Sequence, residues 1–392
     1  MNKYKLPVGL RDCFGETAHK KAKLRHYLLS QFEDYGYTSI ETPLLEYQKV
    51  FDKYNMRQGN LYRVLEPDGE VLVLRPDLTL PIARFMATTN VVIPQKFAYI
   101  GDLFKRNKEL VGLYNQATQA GVELVGYETN KAELECLCLI NRLNRNVLAG
   151  KLYVELGHAM LAQKILSLLE EDHDLLESVK QALFTKNIPL YENLIEKYAD
   201  KKIFNFLKKW PRLFGDLNEV RNMLKNTYIP KEARKAIEEV FSIGELVESL
   251  PKQRVTVDFS SPAPQSYYTG LTFKGYLANV SEYVVSGGRY DKLLANFKDK
   301  EESAVGMGIE LDLLARILVQ QNQAESRHRV LIYFNTPQLS QAATIVEQNP
   351  DYELCLAATL NNARKVAKLK NARLMILTKR GELLDDFENS FN

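Results

Sequence analysis

The sequence predicts an α+β protein with a large domain, a helical insertion and a small C-terminal α/β domain. Strand-like regions flank a stretch from about residue 158 to 250, where apolar spacing is helical and strand signals are few. Beyond residue 328, strand-like runs alternate with helical ones, which is typical of an α/β unit with a mainly parallel sheet. We therefore expect domains at 1–325 and 328–392, with an all-helical insertion at 158–250.

The elements of the large domain follow from apolar spacing. A helix is predicted over residues 15–35 from Leu24, Leu28 and Phe32, with Gly36 as its C-cap. A second helix is predicted over Lys131–Leu148 and a third over Leu311–Gln320. Strand-like runs are Val71–Arg75, Lys96–Ile100, Gly121–Gly126, Lys151–Leu156, Arg254–Phe259, Leu271–Tyr276, Glu282–Val285 and Ala304–Ile309.

The small domain follows Gln321–His328, a polar stretch that we interpret as a linker. Its predicted order is strand, helix, strand, helix, strand. These elements are Val330–Phe334, Leu339–Gln348, Tyr352–Ala357, Leu360–Lys370 and Leu374–Thr378.

Composition excludes several classes of protein. Of the 392 residues, 45% are hydrophobic and 26% charged, which is ordinary for a globular protein. No long apolar run predicts a membrane helix, and Met1–Pro7 lacks a signal peptide's apolar core, so we expect a cytoplasmic location. The net charge of +3 is smaller than a tRNA-binding surface usually requires. The four cysteines have no zinc spacing, so we expect reduced thiols and no metal site.

Several sequence motifs occur together and in a recognisable order. They are Leu6–Asp12, Tyr35–Glu46, Leu74–Thr79, Tyr99–Gly126, Tyr267–Gly270, Gly287–Asp291 and Gly306–Glu310. This series resembles the histidyl-tRNA synthetases, a class II aminoacyl-tRNA synthetase family, over about residues 4–320. The resemblance implies an antiparallel sheet flanked by helices and a C-terminal domain like a reduced anticodon-binding domain. It also implies a dimer interface at Pro43.

The same resemblance implies a histidine-binding pocket. Its residues are Asp77, Thr79, Gln119, Glu123, Tyr267, Tyr268 and Tyr290. A free amino acid presents an ammonium group, and an imidazole needs a partner at each ring nitrogen. Asp77 and Thr79 are two apart after a strand, so we expect them on one face, and Gln119 and Glu123 would share a face of any strand through them.

The arginines that hold ATP in that family are missing from this chain. Ala263, Leu311, Leu113 and Asn115 stand at the matching positions, and Phe104–Asn107 replaces the family's Phe-Arg-X-Glu. Guanidinium groups bind phosphate bidentately, and neutral side chains do not replace them. Loss of one such group typically costs about 3 kcal/mol in the transition state. We therefore expect no catalytic residues and no synthetase activity.

A retained amino-acid pocket without its ATP clamp indicates a sensor. The pattern resembles a paralogous family, the regulatory subunits of ATP phosphoribosyltransferase. That resemblance implies a short-form catalytic subunit as partner, which this chain activates, and histidine as the feedback effector. It also implies a homodimer within a hetero-oligomer, with no cofactor, no tRNA and no membrane. The alternatives are an active histidine–tRNA ligase and a synthetase-like domain that binds uncharged tRNA.

Overall fold

The computed structural model describes residues 4–53, 61–89, 91–106, 114–169, 173–298, 300–321 and 329–386. The chain divides into two compact units, Met1–Val319 and Gln320–Asn392. Among the described residues, no helix is long and apolar enough to cross a membrane.

In the first unit, strands and helices are interspersed at both ends of the chain, and the middle is mostly helical. Before the insertion the elements are α1 (Gly15–Asp34), β1 (Thr38–Ser39), β2 (Leu45–Tyr47), β3 (Arg63–Leu65), β4 (Val71–Leu74), α2 (Thr79–Thr88), β5 (Gln95–Phe104), β6 (Gln116–Val125), α3 (Lys131–Asn146) and β7 (Leu152–His158). The insertion contains α4 (Leu161–Leu166), α5 (His173–Phe184), α6 (Ile188–Ile195), α7 (Phe204–Lys209), β8 (Phe214–Asp216), α8 (Leu217–Leu224) and α9 (Lys231–Glu248). It is followed by β9 (Arg254–Asp258), β10 (Leu271–Leu277), β11 (Tyr283–Arg289), β12 (Ala304–Glu310) and α10 (Leu311–Gln321).

A nine-stranded sheet organises this unit. Its order is β1-β5-β6-β12-β11-β10-β7-β9-β8. The pairs β1–β5 and β7–β9 are parallel and all others are antiparallel. The predicted antiparallel sheet is therefore confirmed, with one parallel pair towards each edge.

One face of the sheet is covered by helices. Even-numbered residues of β6, such as Val122 and Leu124, are fully buried in the same core as Leu28 of α1 and Ile140 of α3. Burial of one such side chain contributes about 1.5–3 kcal/mol. Because side chains alternate along a strand, the odd-numbered residues of β6 project to the opposite face. That opposite face carries the site described below.

The insertion is helical except for one short strand. The structure shows α4 to α9 between β7 and β9, but β8 joins the edge of the sheet beside β9. The expectation of an all-helical insertion is wrong over these residues, because a three-residue strand shows no periodicity and forms only through its sheet partner. Trp210 is fully buried, and its Nε1–H donates to the Phe259 carbonyl over 2.7 Å, which anchors the insertion to the end of β9.

A small antiparallel sheet of order β2-β4-β3 lies in the first unit. The sequence predicts β4 but not β2, β3 or the helix α2. Arg84 of α2 forms an ion pair of 2.5 Å with Glu46 of β2. Leu44, Leu45, Tyr47, Val64 and Leu65, on or next to β2 and β3, are at least 39% exposed.

The second unit is a separate α/β domain, as the alternating pattern predicts. It contains β13 (Val330–Tyr333), α11 (Leu339–Gln348), β14 (Tyr352–Cys355), α12 (Leu360–Lys370), β15 (Arg373–Leu377) and β16 (Leu383–Asp385). The sheet order is β14-β13-β15-β16, parallel except for the edge strand β16, which the sequence does not predict. Leu331 packs with Ala363 and Ala367 of α12, whereas Ile332 packs with Ala342 of α11. The two helices therefore cover opposite faces.

Candidate functional site

A polar cavity lies on the open face of the large sheet. Its enclosed volume is small, about 30 Å³, within a wider space of about 400 Å³ that includes open solvent. All seven residues that the sequence predicts for the histidine pocket line this one cavity, namely Asp77, Thr79, Gln119, Glu123, Tyr267, Tyr268 and Tyr290.

Gln119 and Glu123 reach the cavity from β6, as their spacing predicts. They pair across the ladder with Glu310 and Gly306 of β12. A Cβ atom on Gly306 would overlap the Glu123 carboxylate, and one on Gly308 would lie only 2.6 Å from the Gln119 amide carbon. The two glycines of β12 therefore leave the space in which these side chains turn into the cavity.

Asp77 and Thr79 reach the cavity from the start of a helix and not from a strand. Asp77 precedes α2, and its Oδ1 accepts a hydrogen bond from the Leu80 amide over 2.8 Å. Thr79 is the first residue of α2. The sequence analysis expects strand alternation to put them on one face. That reason is wrong, because β4 ends at Leu74 and α2 begins at Thr79. Both residues are nevertheless buried at the cavity wall.

Glu123 is the most deeply buried acid of the cavity, with 1% exposure. Thr79 donates to Oε1 over 2.7 Å and Tyr290 donates to Oε2. Burial raises the pKa of Glu123 to about 8, although both hydrogen bonds act in the opposite direction. Burial therefore favours a protonated Glu123 at neutral pH.

The tyrosines form a compact aromatic wall. The ring centroid of Tyr267 lies 5.1 Å from that of Tyr268 and 5.7 Å from that of Tyr290, both edge-on. The Tyr267 hydroxyl donates to Oδ2 of Asp77 over 3.4 Å. Burial raises the pKa of all three phenols well above the usual value, so they stay neutral. They present apolar ring surface and polar hydroxyls to the cavity.

Other residues that the structure brings to the site were not predicted. The Tyr99 hydroxyl donates to Oε1 of Gln119 over 3.2 Å, and Nε2 of Gln119 donates to Glu310 over 2.7 Å. Tyr99 lies opposite Gly121, and a Cβ there would clash with its ring. In the sequence, Tyr99 stands out only as the first residue of the motif Tyr99–Gly126. The remaining unpredicted lining residues are Leu103, Lys105, Gln265, Ser286, Met307 and the two glycines of β12.

The described residues that stand where the synthetase family has arginines pack in the core or form hydrogen bonds within the chain. Leu311 is fully buried at the start of α10, and Ala263 packs against the core that contains the tyrosines. Asn115 is buried, and its Nδ2 donates to the Val8 carbonyl over 3.0 Å and to the Tyr62 hydroxyl over 2.7 Å. Leu113 and Asn107 lie outside the described residues. Of the cavity-lining residues that are described, only Lys105 is cationic.

Two arginines within the motifs hold the scaffold together. Arg75 donates to the carbonyls of Asp102 over 2.8 Å and Pro43 over 3.4 Å, so it fixes the chain next to β2. Arg289 forms a buried ion pair of 2.6 Å with Glu133 of α3. Arg289 precedes the cavity residue Tyr290, so the pair fixes the end of β11 against α3.

Pro43, the predicted dimer contact, is exposed. No group of three His, Cys, Asp or Glu residues able to hold a metal occurs within the described ranges. All four cysteines are free thiols.

Comparison with known proteins identifies the class of protein. The family model described as histidyl-tRNA synthetase matches residues 9–314. A histidyl-tRNA synthetase from Nostoc sp. PCC 7120 has the same fold, with a TM-score of 0.78 at 16% identity over 98% of this chain and 97% of that one. The chain is a histidyl-tRNA synthetase-like protein with the class II fold.

Relatives that match over nearly the whole chain show which family it belongs to. An ATP phosphoribosyltransferase regulatory subunit of Limosilactobacillus fermentum is 47% identical over 98% of this chain and 100% of its own length. That of Lactiplantibacillus plantarum is 44% identical over 96% of this chain and 98% of its own. The chain belongs to the ATP phosphoribosyltransferase regulatory subunits, which are non-catalytic. This confirms the resemblance found in the sequence.

Proposed function

We propose that this chain binds histidine in the cavity and uses it to regulate a catalytic partner. In this proposal the chain activates a short-form ATP phosphoribosyltransferase subunit in the first step of histidine biosynthesis and mediates feedback inhibition. The observation that carries the proposal is a cavity that keeps carboxylate, amide and tyrosine groups but has no guanidinium among its described lining residues.

The chemistry of the cavity suits histidine. Asp77 and Glu123 provide acceptors for an ammonium group and an imidazole N–H. The tyrosine hydroxyls can donate or accept, and their rings form apolar walls for the imidazole. By contrast, an ATP triphosphate would meet the acids Asp77 and Glu123 with Lys105 as its single described cation.

The proposed assembly is a homodimer within a hetero-oligomer. The exposed apolar side chains of Leu44, Leu45, Tyr47, Val64 and Leu65 support a dimer interface in the Pro43 region. Apolar surface that clusters in this way is typical of contact sites between proteins.

The proposal is tested with purified chain and purified catalytic subunit. Calorimetry of the chain alone should detect histidine binding. The catalytic subunit should gain activity on addition of the chain, and histidine should then lower that activity. Absence of histidine binding, or an unaltered catalytic subunit, would contradict the proposal.

A further inference from the structure

The charges of the cavity are unevenly distributed. Asp77 and Glu123 line it, and Glu310 contacts it through Gln119. Lys105 is the single cation among the described lining residues. Burial raises the pKa of Asp77 and of Glu310, and the nearby Lys105 ammonium opposes that rise at both. The acids and the lysine therefore share one electrostatic environment.

Lys105 has no carboxylate within 4.0 Å of its ammonium among the residues that the structure describes. Its backbone is nevertheless fixed, because its amide donates to the Asn115 carbonyl over 2.8 Å just beyond β5. The side chain is half-buried at the cavity wall. An ammonium in this position can bind an anionic ligand group without first breaking an ion pair to any residue that the structure describes.

Several other donors of the cavity are already engaged. The amide of Gln119 donates to Glu310, and the hydroxyls of Thr79 and Tyr290 donate to Glu123. The Tyr267 hydroxyl donates to Asp77. At neutral pH the protonated Glu123 offers an entering carboxylate no positive charge, whereas the Lys105 ammonium attracts it.

We propose that Lys105 is the specificity-determining residue for the carboxylate of the bound amino acid. The inference rests on the proposed histidine site and names the group that recognises one end of the ligand. The ligand's ammonium and imidazole then lie towards Asp77 and Glu123, and its carboxylate lies towards Lys105. Removing either partner of this contact should cost about tenfold to a hundredfold in affinity, the typical range for a hydrogen bond to a charged group.

The test compares two ligands on three proteins. L-histidine carries the carboxylate, whereas L-histidinol carries a hydroxymethyl group in its place. Dissociation constants are measured by calorimetry for wild type, Lys105→Met and Arg106→Met. Arg106 is the matched control, because it is the next residue and is exposed.

Wild type should bind histidine at least tenfold more tightly than histidinol. Lys105→Met should weaken histidine binding by at least tenfold and leave histidinol binding unchanged or tighter, since it removes a cation from an acidic cavity. Arg106→Met should behave as wild type, and Lys105→Arg should keep the preference for histidine. Thermal unfolding of each variant confirms that it is folded.

Equal binding of both ligands by wild type would overturn the inference, and so would an equal loss of both in Lys105→Met. In either case the proposed histidine site would survive. If wild type binds no histidine at all, the proposed function itself fails, so the two failures are distinguishable.

Discussion

Thr79, the first residue of α2, donates a hydrogen bond of 2.7 Å to Oε1 of Glu123 in β6. The two residues are far apart in sequence, and this bond ties the start of a helix to the middle of the sheet. Tyr290 holds the other oxygen of the same carboxyl group. Glu123 therefore joins α2, β6 and the chain after β11 at the centre of the cavity.

The first prediction concerns pH and stability. The pKa of Glu123 is about 8 in the folded chain against an ordinary value of 4.5. The native state therefore binds a proton that the unfolded state has lost, and stability from this group falls as pH rises from about 4.5 to 8. Glu123→Gln should flatten that decline, because its amide is neutral throughout. Urea unfolding at pH 5.5, 7 and 8.5 measures it, and parallel profiles for both proteins would contradict it.

The second prediction concerns histidine affinity. Glu123→Ala should weaken histidine binding by about 1–3 kcal/mol, because a polar group of the ligand loses its partner. Glu301→Ala, which changes an exposed acid away from the cavity, should bind as wild type. Calorimetry measures both, and unchanged affinity in Glu123→Ala would rule out this assignment of the pocket.

The third prediction separates activation from feedback. Asp77→Ala should raise the histidine concentration needed for inhibition and leave activation of the catalytic subunit largely intact. Coupling between two sites is typically worth about 1–3 kcal/mol, and it requires that the ligand favour one state. Activity titrations of the assembled complex with histidine measure the shift. Inhibition at the wild-type concentration would mean that feedback arises outside this cavity.

The fourth prediction is that the chain has no histidine-dependent pyrophosphate–ATP exchange. Ala263 and Leu311 supply no charge where the synthetase family has arginines, and Leu311 is fully buried. Each missing guanidinium costs about 3 kcal/mol in the transition state, and such losses need not add. Exchange at ordinary synthetase rates would refute the regulatory assignment of the cavity.

The fifth prediction concerns the dimer. Leu45→Asp should shift the chain towards monomer, because it puts a charge into an exposed apolar surface next to Pro43. Leu246→Asp is the control, since Leu246 of α9 is also exposed, at 52%. Sedimentation velocity measures both variants. A wild-type chain that stays monomeric alone and with its partner would refute the interface.

Long periodic segments could be predicted from the sequence. The helices α1 and α3 were predicted within a few residues because their apolar positions repeat at helical spacing over several turns. The short strands β2, β3, β8 and β16 could not be predicted, because three residues carry no period. Such strands form only where a neighbouring strand provides hydrogen-bonding partners.

Part of the candidate site could likewise be predicted from the sequence, and part could not. Gln119 and Glu123 were predicted to share a face, since both lie on one strand. The contacts of Tyr99 with Gln119 and of Gln119 with Glu310 follow from the register of β6 against β5 and β12. Register is a property of the assembled sheet, so these partners stayed hidden.

The sequence by itself determined the fold class, the family and seven of the residues that line the cavity, because periodicity and the order of motifs are local properties of the chain. Only the tertiary structure decided that Asp77 and Thr79 act from the start of α2 and that Asn115 and Leu311 are buried. It also decided that Lys105 faces the acids as the single described cation of the wall. Burial and charge proximity depend on residues that are distant in sequence, and folding alone brings those residues together.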